Sequence, residues 1–293
     1  MGNAENIISS IAARAEKNAA INDGDFEAEG LIYCGKCMTP KQKRLNFPGV
    51  PVVWCLCKCE QKRRDAETEA RVLRQRQAQI DALLDRLERY ALIDPLPQET
   101  MIQNIDGTTL IKKQETTFAD DDQKNPKATA FVKKYADNFK EAAKEGRGIV
   151  LYGTIGTGKS FLAECVISKL RAEHYAAATT SFRRVEQALW NIDDRQHALD
   201  LMTLLDAVHI DDLFAERDTE YMGEKVFALI DALYRAKVPM IVTTNLTYEQ
   251  FKAERNMQKS RVLSRLYERC DFFEVKGADR RREIALSRSK PKR

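Results

Sequence analysis

The chain has 293 residues, with 48 Lys or Arg against 44 Asp or Glu and a formal charge of +4. That length suits one full α/β domain plus a smaller module, and 43% hydrophobic with 31% charged residues is enough apolar material for a core in a charge-rich, soluble chain. No stretch approaches the roughly 18 apolar residues that span a bilayer, and the first residues lack a signal-peptide core, so the expectation is a cytoplasmic protein with no membrane partner.

In chain order, residues 5–20 place Ile7, Ile8, Ile11 and Ala12 on one side of a helix, which Asn22-Asp23-Gly24-Asp25 breaks. Residues 31–59 are turn-prone and hold five of the seven cysteines. From Glu60 to Ile93 there is no Gly or Pro, and Leu73, Ile80, Leu83, Leu84, Leu87 and Tyr90 recur at helical spacing among charges. This predicts a long amphipathic helix ended by Pro95 and Pro97. A polar connection with Asp120-Asp121-Asp122 follows, then a helix over 128–144.

Beyond it, short apolar runs at 148–152, 176–181, 204–210 and 239–244 alternate with helical stretches at 161–174, 182–190 and 224–235. That alternation predicts an α/β fold, a parallel sheet flanked by helices. The expected organisation is an N-terminal helix and zinc-binding module over 1–59, a long helix over 60–94, a linker over 95–127 and an ATPase domain over 128–293. The last carries a basic tail: residues 279–293 hold seven Arg or Lys against two acids, either a solvated end or a contact for phosphates.

Gly153-Thr154-Ile155-Gly156-Thr157-Gly158-Lys159-Ser160 lies where a predicted strand meets a predicted helix. Gly153 and Gly158 let backbone N–H groups turn inward toward phosphate oxygens, and the helix adds its positive end. Lys159 is placed on the β/γ-phosphates of ATP and Ser160 on Mg2+. The nucleotide-binding set is Gly153, Thr154, Gly156, Thr157, Gly158, Lys159, Ser160 and Phe161.

An apolar strand then ends in Asp211-Asp212, which fits one carboxylate for Mg2+ (Asp211) and one to polarise the attacking water (Asp212). Asp for the more usual Glu at the second position predicts slow turnover. Asn245 ends the strand at 240–244, as a water or γ-phosphate sensor or as a turn cap. Arg261 and Arg265 share one helix face. They read either as a surface salt bridge with Glu268 or as an arginine finger for a neighbouring subunit's ATP.

As a set these motifs resemble the DnaC/IstB branch of the AAA+ ATPases, over roughly residues 115–290. The matching pieces are residues 153–160, Asp211-Asp212, Thr243-Thr244-Asn245 and Arg261-Val262-Leu263-Ser264-Arg265-Leu266. Gly277-Ala278-Asp279-Arg280-Arg281 resembles the family's Gly-x-Ser-x-Arg stretch, with Asp279 in place of Ser. The resemblance implies an AAA+ fold, ATP-dependent homo-oligomerisation with nucleotide between protomers, and contact with single-stranded DNA. It also implies Arg261 as the finger with Arg265 beside it, and Arg281 as the second sensor.

Cys34-Gly35-Lys36-Cys37 is a CxxC knuckle, followed by Cys55, Cys57 and Cys59. Two close pairs supply the four thiolates of a tetrahedral Zn2+ site, assigned to Cys34, Cys37, Cys57 and Cys59 with Cys55 as the substitute. Free thiols, a redox pair or an iron–sulfur centre are the other readings. The CxC pair before Glu60 resembles that of zinc-bearing phage and Gram-positive helicase loaders. The resemblance thus points to a hexameric replicative helicase as partner and to an ATP-dependent loader in DNA replication. An IstB-like transposition helper, an ATP-switched adaptor with little hydrolysis and a zinc protein with a degenerate ATPase site are the alternatives. Lys62-Arg63-Arg64 and Arg280-Arg281-Arg282 are the basic runs offered for DNA.

Overall fold

The computed structural model describes residues 21–44, 52–97, 99–103, 109–113, 115–191, 195–214 and 220–282. The helix read at 5–20 and most of the basic tail lie outside them. The chain divides into two compact units, Met1–Arg76 and Gln77–Arg293, with the division inside one long helix. No helix among the described residues is long and apolar enough to cross a membrane.

The first unit is built of small pieces. Strands β1 (Phe26–Ala28) and β2 (Leu31–Tyr33) form an antiparallel hairpin. Its two-residue turn, Glu29-Gly30, has φ of 53° and 69°, the doubly positive geometry that matches strand twist in tight hairpins. β3 (Gln42–Arg44) pairs with β4 (Val52–Trp54). Two-stranded pieces of this size bury too little to stand alone, so something other than an apolar core must hold this unit.

Helix α1 spans Lys58–Arg89. Arg63 is paired with both Glu60 and Glu67, and Arg64 with Glu60. These i,i+3 and i,i+4 pairs support the helix and neutralise two members of the basic run offered for DNA. The helix stops short of Pro95 because Ala91 turns left-handed, at φ 53°, and Leu92 N–H bonds back to Leu87 O at 2.9 Å, a helix-closing arrangement that needs no proline. Leu92 and Ile93 are then fully buried, and Asp94 N–H donates to Thr179 O at 2.7 Å. β5 (Glu99–Gln103) and β6 (Thr109–Lys113) form an antiparallel pair in the stretch that reads from sequence as a polar connection.

The second unit holds one five-stranded parallel sheet. Its strands are β7 (Gly148–Tyr152), β8 (Ala177–Ser181), β9 (Ala207–Asp211), β10 (Met240–Thr244) and β11 (Cys270–Glu274), in the spatial order β11-β7-β10-β9-β8. Helices α2 (Pro126–Asp137), α3 (Phe139–Glu145), α4 (Lys159–Ala172), α5 (Phe182–Asn191), α6 (Arg195–Met202), α7 (Glu220–Arg235), α8 (Tyr248–Ala253) and α9 (Met257–Arg269) complete it.

Alternation along the strands divides the core in two. Val150, Ala178, Val208, Ile210 and Val242 face a cluster with Val185, Leu199, Leu229, Ile230 and Leu266 from α5, α6, α7 and α9. Ile149, Leu151, Ala177, Ala207 and Ile241 face Val132, Phe139, Leu162, Val166 and Leu170 from α2, α3 and α4. Helices therefore cover both faces, as expected of an AAA+ P-loop α/β fold. The sequence reading lacks β11, an edge strand whose Asp271 and Glu274 are exposed and whose apolar run is short.

Candidate functional site

β7 delivers the chain into the glycine loop, and α4 begins at its far end with Gly158 as N-cap. Thr157 is buried and its hydroxyl donates to Thr154 O at 3.0 Å, which locks the curl. Gly156 sits at φ 79°, and a Cβ there would lie 2.0 Å from Asp279 Oδ1. Only glycine suits both the turn and that approach. Lys159 is buried, with Nζ donating to Gly153 O at 3.0 Å and Thr154 O at 2.7 Å. Burial lowers its pKa, with Asp212 and Asp211 opposing that and Arg281 adding to it.

Ser160 Oγ donates to Asp211 Oδ1 at 2.7 Å, and Thr243 Oγ1 donates to the same oxygen at 2.5 Å. Burial favours the protonated Asp211, yet the opposing pull of His209, Thr243 and Ser160 takes its carboxyl below the ordinary range. Asp212 turns left-handed at φ 50°, a conformation Asp tolerates better than most residues. Its N–H donates to Thr243 Oγ1 at 3.0 Å, and its Oδ1 accepts from Asn245 Nδ2 at 3.2 Å. Lys159, Ser160, Asp211, Asp212 and Asn245 are thus brought into one locale by the ends of three adjacent strands and the first turn of α4. A lysine, free helix N–H groups, a hydroxyl and a carboxylate are the donor set of a Mg2+–triphosphate site, and the residues present fit that group.

The segment after β11 closes over the loop. Asp279 Oδ1 accepts from the N–H groups of Arg281 and Arg282 at 3.0 and 3.3 Å. It caps the helical turn that follows, a task Ser and Asp perform equally well, so the departure from the family's Ser has a local explanation. Arg280 N–H donates to Gly156 O at 3.0 Å, and Arg280 Nη1 pairs with Asp122 at 3.1 Å. Among the described residues its Nη2 is buried without a partner, and its guanidinium carbon lies 3.0 Å from where a Gly158 Cβ would be. Arg281, the sensor expected from the resemblance, is exposed but close enough to lower the Lys159 pKa. The sequence reading gave Arg280 a role only within the basic run offered for DNA. A cavity of about 220 Å³ beside the loop is lined by Lys124, Asn125, Thr157, Gly277, Ala278 and Arg280.

Two further polar residues were also missed. His209 is buried, with Nδ1 2.8 Å from Glu164 Oε1. Burial disfavours its charged form, but Asp211 and Glu164 outweigh that and push its pKa up to about 9. The sequence did carry a signal, since His209 stands two positions before Asp211 in a strand and so faces the same side.

Arg261 and Arg265 lie on α9, which packs on α7. Arg261 is exposed and stacks over Phe227 at 3.9 Å. Arg265 holds Asp231 through Nη2 at 2.5 Å and Nε at 2.7 Å, and also stacks over Phe227 at 4.4 Å. Glu268, the partner expected from spacing, instead accepts from the Tyr234 hydroxyl at 2.8 Å. No partner described for either arginine belongs to the phosphate loop.

In the first unit, the Sγ atoms of Cys34, Cys37, Cys57 and Cys59 all lie within 4.8 Å of one another. Cys34 to Cys59 is 3.6 Å and Cys57 to Cys59 is 3.4 Å, near the ~3.8 Å edge of a tetrahedron with Zn–S bonds of about 2.3 Å. Cys55 points elsewhere, toward Pro40 O at 3.7 Å. The N–H groups of Cys37 and Lys36 lower the Cys34 pKa. The Thr39 hydroxyl, with the Cys59 backbone, takes Cys37 down to about 5. The sulfurs of Cys57, Cys37 and Cys34 push Cys59 up to about 12. A cation among these four sulfurs would let all of them ionise together, and the set fits Zn2+.

The knuckle is braced by a buried ion pair, Lys41 Nζ to Asp25 Oδ2 at 2.6 Å, while Asp25 Oδ1 accepts from Gly35 N–H at 3.1 Å. A Cβ on Gly35 would come 2.0 Å from Gly24 O, so the backbones touch there. The other two cysteines, Cys165 and Cys270, are buried within the second unit.

No protein-family model and no curated protein matches the chain. Among solved structures it is similar to DnaI at 19% identity and TM-score 0.48, covering 56% of this chain and 90% of that one. It is similar to the DnaC helicase loader at 21% and 0.44, covering 52% and 89%. It is also similar to AMPPCP-bound DnaA from Aquifex aeolicus at 17% and 0.45, covering 60% of this chain and 55% of that one.

Proposed function

We propose that the chain is an ATPase of the DnaC/IstB type that delivers a replicative hexameric DNA helicase onto single-stranded DNA. The observation that carries the ATPase reading is the convergence of Ser160 and Thr243 on Asp211, 2.7 and 2.5 Å away, beside a buried Lys159. In this reading Lys159 and the N–H groups of the loop hold the triphosphate, Ser160 and Asp211 hold Mg2+, and Asp212 with Asn245 orients the attacking water. Bound Mg2+ supplies charge neutralisation at the phosphates. Arg280, whose N–H bonds Gly156 O, and Arg281, close enough to lower the Lys159 pKa, are the candidates for reading the nucleotide's charge. Arg261, exposed and stacked on Phe227, is the residue that reaches a neighbouring protomer's nucleotide. Arg265 supports it from the Asp231 pair.

The loader part of the reading is supported by the motif resemblance together with the four-cysteine cluster, a closed structural metal site of the kind that holds a small module together for docking. The test is co-elution of a purified bacterial replicative helicase with the protein, with and without ATP. The reading predicts a complex with the wild type that the Cys34→Ser/Cys37→Ser variant loses. No complex in either case, with DNA-stimulated ATPase intact, would replace the loader with a transposition-type helper.

A further inference from the structure

α4 and β9 face one another through two polar rungs rather than one. Ser160 and Glu164 are four apart on α4 and share a face; Asp211 and His209 are two apart on β9 and share a face. The first rung is Ser160 Oγ to Asp211 Oδ1 at 2.7 Å, and the second is Glu164 Oε1 to His209 Nδ1 at 2.8 Å. The rungs are joined along the strand, because His209 Nε2 lies 3.6 Å from Asp211 Oδ1, in line for attraction though beyond hydrogen-bond length. Thr179, which stands opposite His209 in the β8–β9 register, donates to Glu164 Oε1 at 2.6 Å and fixes the outer end.

This second rung is expensive. His209 is 1% exposed, and its strand neighbours Ala207, Val208 and Ile210 are apolar. An apolar residue at 209 would pack there without desolvating an imidazole and a carboxylate, and buried ionic groups of this kind are often neutral or worse for stability than apolar replacements. Among the described residues, His209 Nε2 is one of the few buried polar side-chain atoms lacking a hydrogen-bond partner, and it faces the carboxylate assigned to the metal.

We propose that Glu164 and His209 are a positioning pair that holds the Asp211 carboxylate in the orientation the Mg2+–nucleotide requires, acting through Asp211 and touching neither metal nor nucleotide. This rests on the nucleotide reading above. Partners in a second shell of this kind change metal affinity or activity by roughly 10- to 100-fold when removed.

The test is the affinity of a fluorescent ATP analogue for the full chain, measured in EDTA and across a Mg2+ titration. The variants are His209→Leu, Glu164→Gln and the double His209→Leu/Glu164→Leu, each with its melting temperature. The proposal predicts EDTA affinities within about twofold of wild type for all three, and a Mg2+ half-saturation raised about tenfold. The double variant, which removes both members of the pair together, is expected to fold and still to show the Mg2+ defect. His209→Gln, which keeps a donor, recovers part of it. A wild-type Mg2+ titration in the double variant overturns the pair and makes the rung a packing feature. A wild-type chain that binds the analogue with no Mg2+ dependence fails earlier, at the nucleotide reading itself.

Discussion

Ser160 Oγ donates to Asp211 Oδ1 across 2.7 Å, joining the first turn of α4 to the end of β9. The two residues are far apart in sequence and come from the two motifs that the nucleotide reading needs. Lys159→Ala is expected to abolish ATP binding, because it removes the one ammonium buried in the loop. Ser160→Ala and Asp211→Asn are expected to retain nucleotide in EDTA and to lose the gain from Mg2+. Asp212→Asn and Asn245→Ala should bind Mg2+–ATP normally and hydrolyse it at least about tenfold more slowly, as expected for groups that position the attacking water. Equilibrium binding and single-turnover hydrolysis separate the three classes.

Gly156→Ala tests the closure of residues 277–282 over the loop. Its φ of 79° and the 2.0 Å approach to Asp279 Oδ1 mean that a methyl group must displace that segment. Strain at a left-handed position alone costs about 1 kcal/mol or more. The expected outcome is weaker nucleotide binding that the further change Asp279→Ala partly restores. Equal affinities in the single and double variants would show that the contact has no bearing on the site.

The arginines separate by what holds them. Arg265→Ala takes from Asp231, whose side chain is 15% exposed, one of its two guanidinium partners and leaves it Arg235 Nε at 2.8 Å. A loss of about 2 kcal/mol is expected, or roughly 4–8 °C in melting temperature for a domain of this size. Arg261→Ala removes an exposed side chain stacked on Phe227 and should change melting little while lowering hydrolysis and ATP-dependent self-assembly. Thermal melts with light scattering in ATP distinguish them. If Arg265→Ala alone lowers hydrolysis, the finger moves one turn along α9.

The cysteine cluster predicts about one zinc per chain. Cys34→Ser, Cys37→Ser, Cys57→Ser and Cys59→Ser should each lose it, and Cys55→Ser should keep it, since that thiol points toward Pro40 O instead. Chelation should unfold the first unit, whose paired strands are only three residues long, because metal binding there supplies folding free energy. Metal content by mass spectrometry under native conditions, with circular dichroism before and after chelation, reads both effects.

Much of the second unit was legible because its signals are local. The strands at 148–152 and 240–244 are short apolar runs, and the glycine loop between strand and helix names its own geometry. β11 was not legible, because its central apolar pair, Phe272-Phe273, is flanked by the exposed Asp271 and Glu274 and is too short a run to read as a strand. The end of α1 was misplaced toward Pro95 because a left-handed Ala91 leaves no mark in a sequence, where Gly would have. The four cysteines that converge could be chosen over Cys55 from pair spacing. The partners of the arginines could not, because Asp231 comes from α7 and no pattern within α9 points to it. Glu164 and His209 are joined only when helix and strand pack, so the spacing of His209 from Asp211 put His209 on the site's side of the strand but gave no sign of Glu164.

The most direct test of the loader reading is transfer of a purified replicative helicase hexamer onto closed circular single-stranded DNA, which has no end to thread. Wild-type protein with ATP is expected to leave helicase stably bound to the circle, and Lys159→Ala is expected to fail. Helicase that loads equally well without the protein, or that never associates with it while ATP binding is normal, contradicts the account.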